Sequence, residues 1–440
     1  MTVQEVELSA RVTRMEQLER LFKKYSDVPK EVVVKEDMLR EGFHFTAAAL
    51  NFDPKRKTYH LFSWDQSTIE EIGTIDSKAP VKLPDTIDVD GGIYGLRRIR
   101  MRPRICVKSP YLIDVTEGKL AILDRETRTS IADIRPFHPD PLYFSKVFPD
   151  GTPYLEVAPP DLNIIVFRQC QYWGPNEECK FCDINRNASS KKQLGQVKTT
   201  APKKPDQVAE VVEEILLREP WSPDRRPLYV HLNGGTVTGK LGGLTEQEFY
   251  GNFVVAIKEK IGNRWPIGLQ TVPWTVEQEK RGFLQGVNQR KSNFEVWDKR
   301  LFEIISPGKA AMIGYDEWIK RVLDQVDVFG EGNVQPGFVA GVEMAQPWGF
   351  KTVEEAVRST TEGLEFLMSH GVTPRPISWC VEGLSDLAGQ TPPPTDYFIQ
   401  LDRNWFEIFR KYRLPELSGF RLGPGRNEYM NSAAFDMGEV

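Results

Sequence analysis

The 440-residue sequence lacks several features that mark particular classes of protein. No apolar run approaches the roughly 20 residues that cross a bilayer, and the first residues are charged and helix-patterned, without the apolar stretch of a signal peptide. Basic residues are not in excess, since the formal net charge is −5. We therefore expect a cytoplasmic protein with no membrane segment, and a nucleic-acid partner is not expected.

Cysteine is also scarce, and its distribution is uneven. Three of the five cysteines, Cys170, Cys179 and Cys182, lie in one polar loop that contains Gly and Pro and directly follows an apolar run. In a reducing compartment an odd number of cysteines argues against a disulfide framework. Clustered cysteines there more often bind metal or take part in chemistry.

Short apolar runs alternate with helix-patterned segments between Leu162 and Cys380. Each run is short enough to be a strand, and the alternation is typical of parallel βα units. In such units the chemistry lies at the carboxyl ends of the strands. The predicted strands are residues 162–167, 227–232, 266–271, 293–297, 336–342 and 375–380.

The sequence outside this region indicates further domains. Residues 1–160 contain two charged helical stretches and then extended runs broken by Asp, Gly and Pro, which predict a smaller, strand-rich accessory domain. We predict an α/β protein in which residues 161–385 form a partial, TIM-like (βα)₆ barrel. Residues 386–440 are expected to form a C-terminal helix and a Gly-rich tail, which either packs over one mouth of the barrel or hangs free.

The number of clustered cysteines narrows the kind of metal site. Three thiolates are one fewer than the four that saturate a structural zinc or an ordinary [4Fe–4S] cluster. A cluster held by three cysteines keeps one iron open to another ligand. The sequence here resembles the radical S-adenosylmethionine (SAM) enzymes, which carry three cysteines after the first strand of a partial (βα)₆ barrel and an aromatic residue inside the last C-x-x-C, here Phe181. Their commonest spacing is C-x₃-C-x₂-C, so C-x₈-C-x₂-C marks a subgroup.

Three further segments extend the resemblance to SAM binding. Residues 233–236, NGGT, resemble the family's GGE motif, which holds the methionine amino group; Thr236 replaces the acid. In residues 293–295, NFE, the carboxamide and the carboxylate resemble ribose-binding residues of the biotin-synthase-like branch, and residues 337–343 are similar to the G-x-I-x-G motif beside the adenine. The residues that the resemblance implies for SAM are Asn233, Gly234, Gly235, Thr236, Asn293, Glu295, Gly337, Val339, Gly341 and Glu343.

Each motif also has a simpler interpretation. The three cysteines would also suit a zinc knob or redox-inactive core thiols, and NGGT would suit a tight turn between strand and helix. NFE would suit an alternating strand with a solvated acid, and the glycines of residues 337–343 would suit the close packing of a buried strand. Cys380 is either a hydrogen-atom donor in the cavity or a buried core thiol. The PGK at residues 307–309 reads as a capping turn rather than a phosphate site. Joint occurrence at successive strand ends favours the enzyme.

The resemblance implies a function as well as a fold. Cys170, Cys179 and Cys182 would hold a [4Fe–4S] cluster, SAM would chelate the open iron, and reductive cleavage would give a 5′-deoxyadenosyl radical that abstracts hydrogen from a substrate. A one-electron donor such as flavodoxin or ferredoxin is implied, and the basic segment 186–204 either seats it or is a solvated loop.

The substrate is expected to be a small molecule, namely a cofactor precursor or natural-product intermediate. Cys106 and Cys380 are isolated and do not form a second cluster. Two alternatives stay open, a radical SAM enzyme that modifies tRNA and a non-catalytic Fe–S or zinc protein.

Overall fold

The computed structural model describes residues 13–52, 65–73, 83–84, 86–136, 140–174, 176–193, 200–221, 226–417, 420–426 and 429–438. The first part of the chain folds around a six-stranded sheet of order β1-β4-β5-β6-β2-β3, in which only the β1–β4 pair is parallel. Its elements are α1 (Arg14–Lys24), α2 (Lys30–Glu41), β1 (His44–Phe45), α3 (Ala47–Phe52), α4 (Ile69–Gly73), β2 (Ile87–Gly91), β3 (Leu96–Met101), β4 (Tyr111–Thr116), β5 (Lys119–Asp124) and β6 (Ser130–Ile134).

Parallel strands separated by helices follow. One sheet contains β7 (Asn163–Phe167), β8 (Val230–Gly234), β9 (Ile267–Leu269) and β10 (Gln289–Arg290), and a second contains β11 (Gly337–Ala340) and β12 (Arg375–Ser378). Parallel bridges from Arg290 to Val334 and from Glu295 to Phe338 connect the two sheets. The strands therefore follow one another in chain order with their carboxyl ends on the same side. The predicted α/β class is confirmed.

Helices connect these strands. Several of them begin with a capping box, in which a threonine side chain accepts a backbone N–H and a Glu or Gln three residues later returns the bond; Thr245, Thr275 and Thr352 are the capping residues. The helices are α5 (Tyr154–Val157), α6 (Ile184–Gln193), α7 (Pro205–Glu213), α8 (Glu246–Ile261), α9 (Val276–Gln285), α10 (Lys299–Ile305), α11 (Pro307–Met312), α12 (Tyr315–Phe329), α13 (Val353–Met368) and α14 (Thr395–Tyr412).

The fourth strand of the parallel set is not the one predicted. The prediction placed it at residues 293–297, but β10 is Gln289–Arg290. The polar sequence of β10 hid it, because Arg290 is buried through an ion pair with Glu279 at 2.7 Å and a stack on Trp274. Glu295 has a left-handed φ of +69°, so Asn293 and Glu295 do not alternate along a strand.

The C-terminal tail packs against the N-terminal part of the chain. Ala433 and Met437 belong to the apolar core around β2 to β6, and Asp436 forms a buried ion pair with Lys35 of α2 at 2.6 Å. The Ser378 backbone N–H donates to the Asn431 carbonyl, which joins the tail to the end of β12. None of the helices in the described part of the chain combines the length and apolar character that a bilayer crossing requires.

Candidate active site

A cavity of about 1080 Å³ lies against the parallel strands. Elements outside these strands complete it: Arg98 and Arg100 of β3 and Arg102 just after β3 line one part, and Leu417 and Phe420 after α14 line another. The N-terminal and C-terminal parts of the chain therefore help to shape this cavity. The predicted site residues on its lining are Cys170, Cys179, Cys182, Asn233, Gly234, Gly235, Thr236, Asn293, Glu295, Val339 and Cys380.

The cysteine loop is held to the rest of the fold by hydrogen bonds. Its first cysteine, Cys170, exchanges two bonds with buried Asn185 of α6: the Cys170 N–H donates to Asn185 Oδ1 at 2.6 Å, and Asn185 Nδ2 donates to the Cys170 carbonyl at 3.1 Å. Further along, the Cys182 N–H donates to the Cys179 carbonyl at 3.0 Å, and Lys180 N–H donates to a carbonyl of α10. The thiols of the three cysteines are free.

The NGGT segment packs directly on this loop. The Thr236 N–H donates to Cys170 Sγ at 3.3 Å, and the Gln171 N–H donates to the Thr236 carbonyl at 2.8 Å. A Cβ on Gly235 would lie 2.0 Å from the Gln169 carbonyl oxygen and 2.5 Å from Cys170 Cα. Only glycine allows the two backbones to come this close. The segment therefore does more than turn the chain, because it supports the first cysteine.

The electrostatics of the three thiols favour the protonated form in the metal-free chain. Removal from water raises the pKa of Cys170, raises that of Cys179 to about 11 and raises that of Cys182 well above the ordinary value. Lys309 acts in the opposite direction on Cys170 and Cys179. Metal binding is the usual way in which such thiols become thiolates. Within the described residues, no three His, Cys, Asp or Glu side chains lie close enough to hold a single metal ion.

A buried ion pair lies between the cysteines and the fourth strand. Lys309 Nζ contacts Glu295 Oε1 at 2.6 Å and donates to the Asn293 carbonyl at 3.0 Å, and both charged side chains are about nine-tenths buried. The sequence predicts Glu295 as a site residue but places Lys309 in a capping turn. Pro307 does begin a helix, α11, and this short helix carries the Lys309 ammonium into the cavity.

Only part of the predicted adenine segment faces the cavity. Val339 lies on its lining, whereas Gly337, Gly341 and Glu343 do not. Glu343 is buried among the helices behind β11, where it accepts hydrogen bonds from Thr360, Tyr397 and the Gly341 N–H, and burial raises its pKa. The glycines permit close packing: a Cβ on Gly337 would meet the Asn293 side chain, and one on Gly341 would meet a proline ring.

Cys380 lies on the cavity lining just beyond β12 and is buried. Burial raises the pKa of the Cys380 thiol well above its ordinary value, and the negative charge of Glu382 raises it further. Glu382 in turn accepts a hydrogen bond from the Asp183 N–H at 3.2 Å, next to Cys182. Neither Asp183 nor Glu382 was predicted, because an acid at a loop position carries no distinguishing sequence pattern.

The basic segment after the cysteines is in part helical. Residues 184–193 form α6, and residues 194–199 lie outside the described part of the chain. Arg186 pairs with Asp386 at 2.6 Å and with Glu178 at 3.3 Å. The positive charge of Arg186 is therefore compensated by two carboxylates of the protein itself.

Comparison with known proteins adds to this geometry. No known family profile matches the chain. The bacteriochlorophyllide c C-7(1)-hydroxylase of Chlorobaculum limnaeum is 25% identical over 153 residues, which cover 33% of this chain. The aligned segment spans only 35% of the length of that relative.

Two solved structures are also similar. Methylornithine synthase aligns at 15% identity and a TM-score of 0.39, covering 60% of this chain and 72% of its own. Coproporphyrinogen III oxidase of Escherichia coli, described as a radical SAM enzyme, aligns at 13% identity and a TM-score of 0.32, covering 47% of this chain and 46% of its own. The proteins to which this chain is similar thus include one described as a radical SAM enzyme, the family that the cysteine motif resembles.

Proposed function

We propose that this protein cleaves SAM reductively and uses the resulting radical to abstract hydrogen from a small organic molecule held in the cavity. One observation carries the proposal: three free cysteines and the NGGT backbone line the same cavity, and the Thr236 N–H donates to Cys170 Sγ. A tight turn or a set of core thiols would not require this contact. N–H donors to sulfur are among the features that tune the potential of an Fe–S cluster.

The residues of the cysteine loop fit the implied cluster. Cys170, Cys179 and Cys182 would hold three irons of a [4Fe–4S] cluster, with the loop anchored by Asn185 and by Gly235. When bound, the cluster and SAM together supply the 5′-deoxyadenosyl radical. An external one-electron donor, such as a flavodoxin or ferredoxin, would provide the reducing equivalent.

The chain's own part is to bind and orient SAM. Residues 233–236 would offer backbone groups to the methionine end, and Glu295 would accept hydrogen bonds from the ribose hydroxyls. Lys309 holds Glu295 in place through their buried ion pair. Val339, on the same lining, would lie against the adenine.

The chain also encloses the reacting groups. The parallel strands would act as a partial (βα)₆ barrel of residues 161–385, closed by the accessory domain of residues 1–160 and by residues 386–440. Cavity walls from all three parts would limit the access of water, which otherwise would weaken electrostatic contacts. The small-molecule substrate class agrees with the name of the curated relative, a hydroxylase of bacteriochlorophyllide c. We place the enzyme in the cytoplasm.

The test is direct. Anaerobically reconstituted protein, incubated with dithionite and SAM, should release 5′-deoxyadenosine, measured by mass spectrometry, and should bind about four iron atoms per chain. A variant in which all three loop cysteines are alanine should release none. One zinc per chain and no 5′-deoxyadenosine from the parent would overturn the proposal. Tightly bound tRNA in the purified protein would redirect the substrate class.

A further inference from the structure

Three basic side chains meet at the end of the cavity that lies away from the cysteines. They are His231 of β8, Lys291 just after β10 and Arg375 at the start of β12, and we call them the basic floor. Their exposed fractions are 6%, 0% and 5%. The cysteines follow the carboxyl end of β7, whereas His231 pairs with Asn163 at the amino end of that strand.

The sheet brings these side chains together. Gly268 of β9 pairs with His231, and a Cβ on Gly268 would lie 3.5 Å from Lys291 Nζ, so the lysine occupies the space that the glycine leaves. Lys291 Nζ also lies 4.6 Å from the centre of the Tyr229 ring, which in turn is 6.3 Å from the His231 ring. Arg375 is fixed by a bond from its Nε to the Gln335 carbonyl at 3.0 Å.

Each member of the basic floor has a buried polar atom without a hydrogen-bond partner among the described residues. These atoms are His231 Nε2, Lys291 Nζ and Arg375 Nη2. A buried donor left unpaired is costly, so each such group calls for an explanation. Three on one cavity wall, from three separate strands, indicate a site for an acceptor that is not part of the protein.

The electrostatics point to the charge of that acceptor. Burial lowers the pKa of both His231 and Lys291. Neighbouring positive charges lower these pKa values further: Lys291 and Arg375 act on His231, and Arg375 acts on Lys291. An anion would relieve the repulsion within the basic floor and satisfy its donors.

We propose that His231, Lys291 and Arg375 bind a carboxylate of the substrate. A carboxylate has two oxygens and about four acceptor positions, enough for three converging donors. The inference rests on the proposed function, since it takes the cavity to be the substrate site. From His231 to Thr236 the chain runs five residues, about 16 Å if fully extended. A substrate anchored here would direct its distal carbons towards the cysteines, so the basic floor selects which end of the molecule reacts.

The first test measures binding without catalysis. Sodium acetate and disodium succinate should raise the melting temperature of the parent above that in sodium chloride of equal ionic strength, because a ligand that binds only the folded state stabilises it. Lys291→Met and His231→Gln should each weaken the apparent affinity by roughly tenfold or more. Arg421→Gln, which alters a cavity arginine outside the basic floor, should behave like the parent.

Several results would overturn the proposal. They are equal protection of the parent by chloride and carboxylates, unchanged affinity in both basic-floor variants, or stronger protection by inorganic phosphate than by succinate. The iron content of Lys291→Met should match that of the parent. If the parent releases no 5′-deoxyadenosine, the proposed function fails, yet carboxylate binding can still be scored, so the two failures are distinguishable.

Discussion

The two ends of the cavity are built in different ways. At the cysteine end, the key residues lie close together in sequence, and backbone groups of residues 233–236 support them. At the basic floor, His231, Lys291 and Arg375 are far apart in sequence and share one cavity lining only because the fold brings their three segments to the same cavity. The cysteine end can therefore be recognised from a motif in the sequence, whereas no sequence motif marks the basic floor. Changes at one end should leave the property of the other intact.

The largest expected effect is the loss of the cluster. Replacing Cys170, Cys179 or Cys182 singly with Ala should abolish iron binding, because two cysteines cannot hold the cube. Iron analysis and the visible absorbance of the reconstituted protein measure this. Cys106→Ala, Cys380→Ala and the basic-floor variant Lys291→Met should keep the full iron content. Full iron in any single loop variant would remove the assignment of that cysteine.

The next effect tests the support beneath Cys170. Gly235→Ala introduces a methyl group 2.0 Å from the Gln169 carbonyl oxygen, so the cysteine loop must move. We expect much lower iron content after reconstitution and a clear drop in melting temperature. Gly239→Ala is the matched control, because a Cβ there meets nothing within 4 Å. Equal iron content in the two variants would show that NGGT does not set the loop position.

A third, smaller effect concerns SAM affinity. Glu295→Gln keeps the shape but removes the charge that would bind the ribose hydroxyls, which costs about 1.5–3 kcal/mol for charge-assisted bonds. Calorimetry should show SAM affinity reduced roughly ten- to a hundred-fold, with unchanged iron content. Glu303→Gln, an exposed acid on α10, serves as the control. Parent-like affinity would make the Glu295–Lys309 pair a structural feature only.

The same contrast explains what could be predicted from the sequence. The cysteine triplet and NGGT are local patterns, and five of the six predicted strands overlap an observed one because their apolar runs are continuous. The fourth strand failed because Arg290 is buried by an ion pair and an aromatic stack rather than by apolar character. Lys309 and the basic floor were missed for a related reason. An isolated basic residue acquires a role only through neighbours that folding supplies.

The smallest effect, and the last prediction, uses pH to compare the two ends. At the cysteine end, burial raises the pKa of Glu246 to about 7; this carboxylate accepts bonds from the Val237 N–H at 3.1 Å and from the Trp274 indole N–H at 2.9 Å. At the basic floor, burial lowers the pKa of His231. The two shifts have opposite signs in their effect on stability.

For Glu246, the folded state holds a proton that the unfolded state releases between pH 4.5 and about 7, so stability falls as pH rises through that range. Glutamine has no carboxyl group that titrates, so Glu246→Gln does not lose stability in this way. Its free energy of unfolding relative to that of the parent should therefore rise by about 1–3 kcal/mol from pH 4.5 to 7. For His231, the unfolded state gains a proton below about pH 6.5, so His231→Gln should gain relative stability as pH falls. Urea unfolding at a series of pH values measures both slopes.

Glu248→Gln, at an exposed capping position of α8 where the carboxylate pKa is lowered, should not reproduce the Glu246 slope. A flat difference for Glu246→Gln would mean that folding does not raise the pKa of this carboxyl group, so that the support behind NGGT is charged rather than neutral at pH 7.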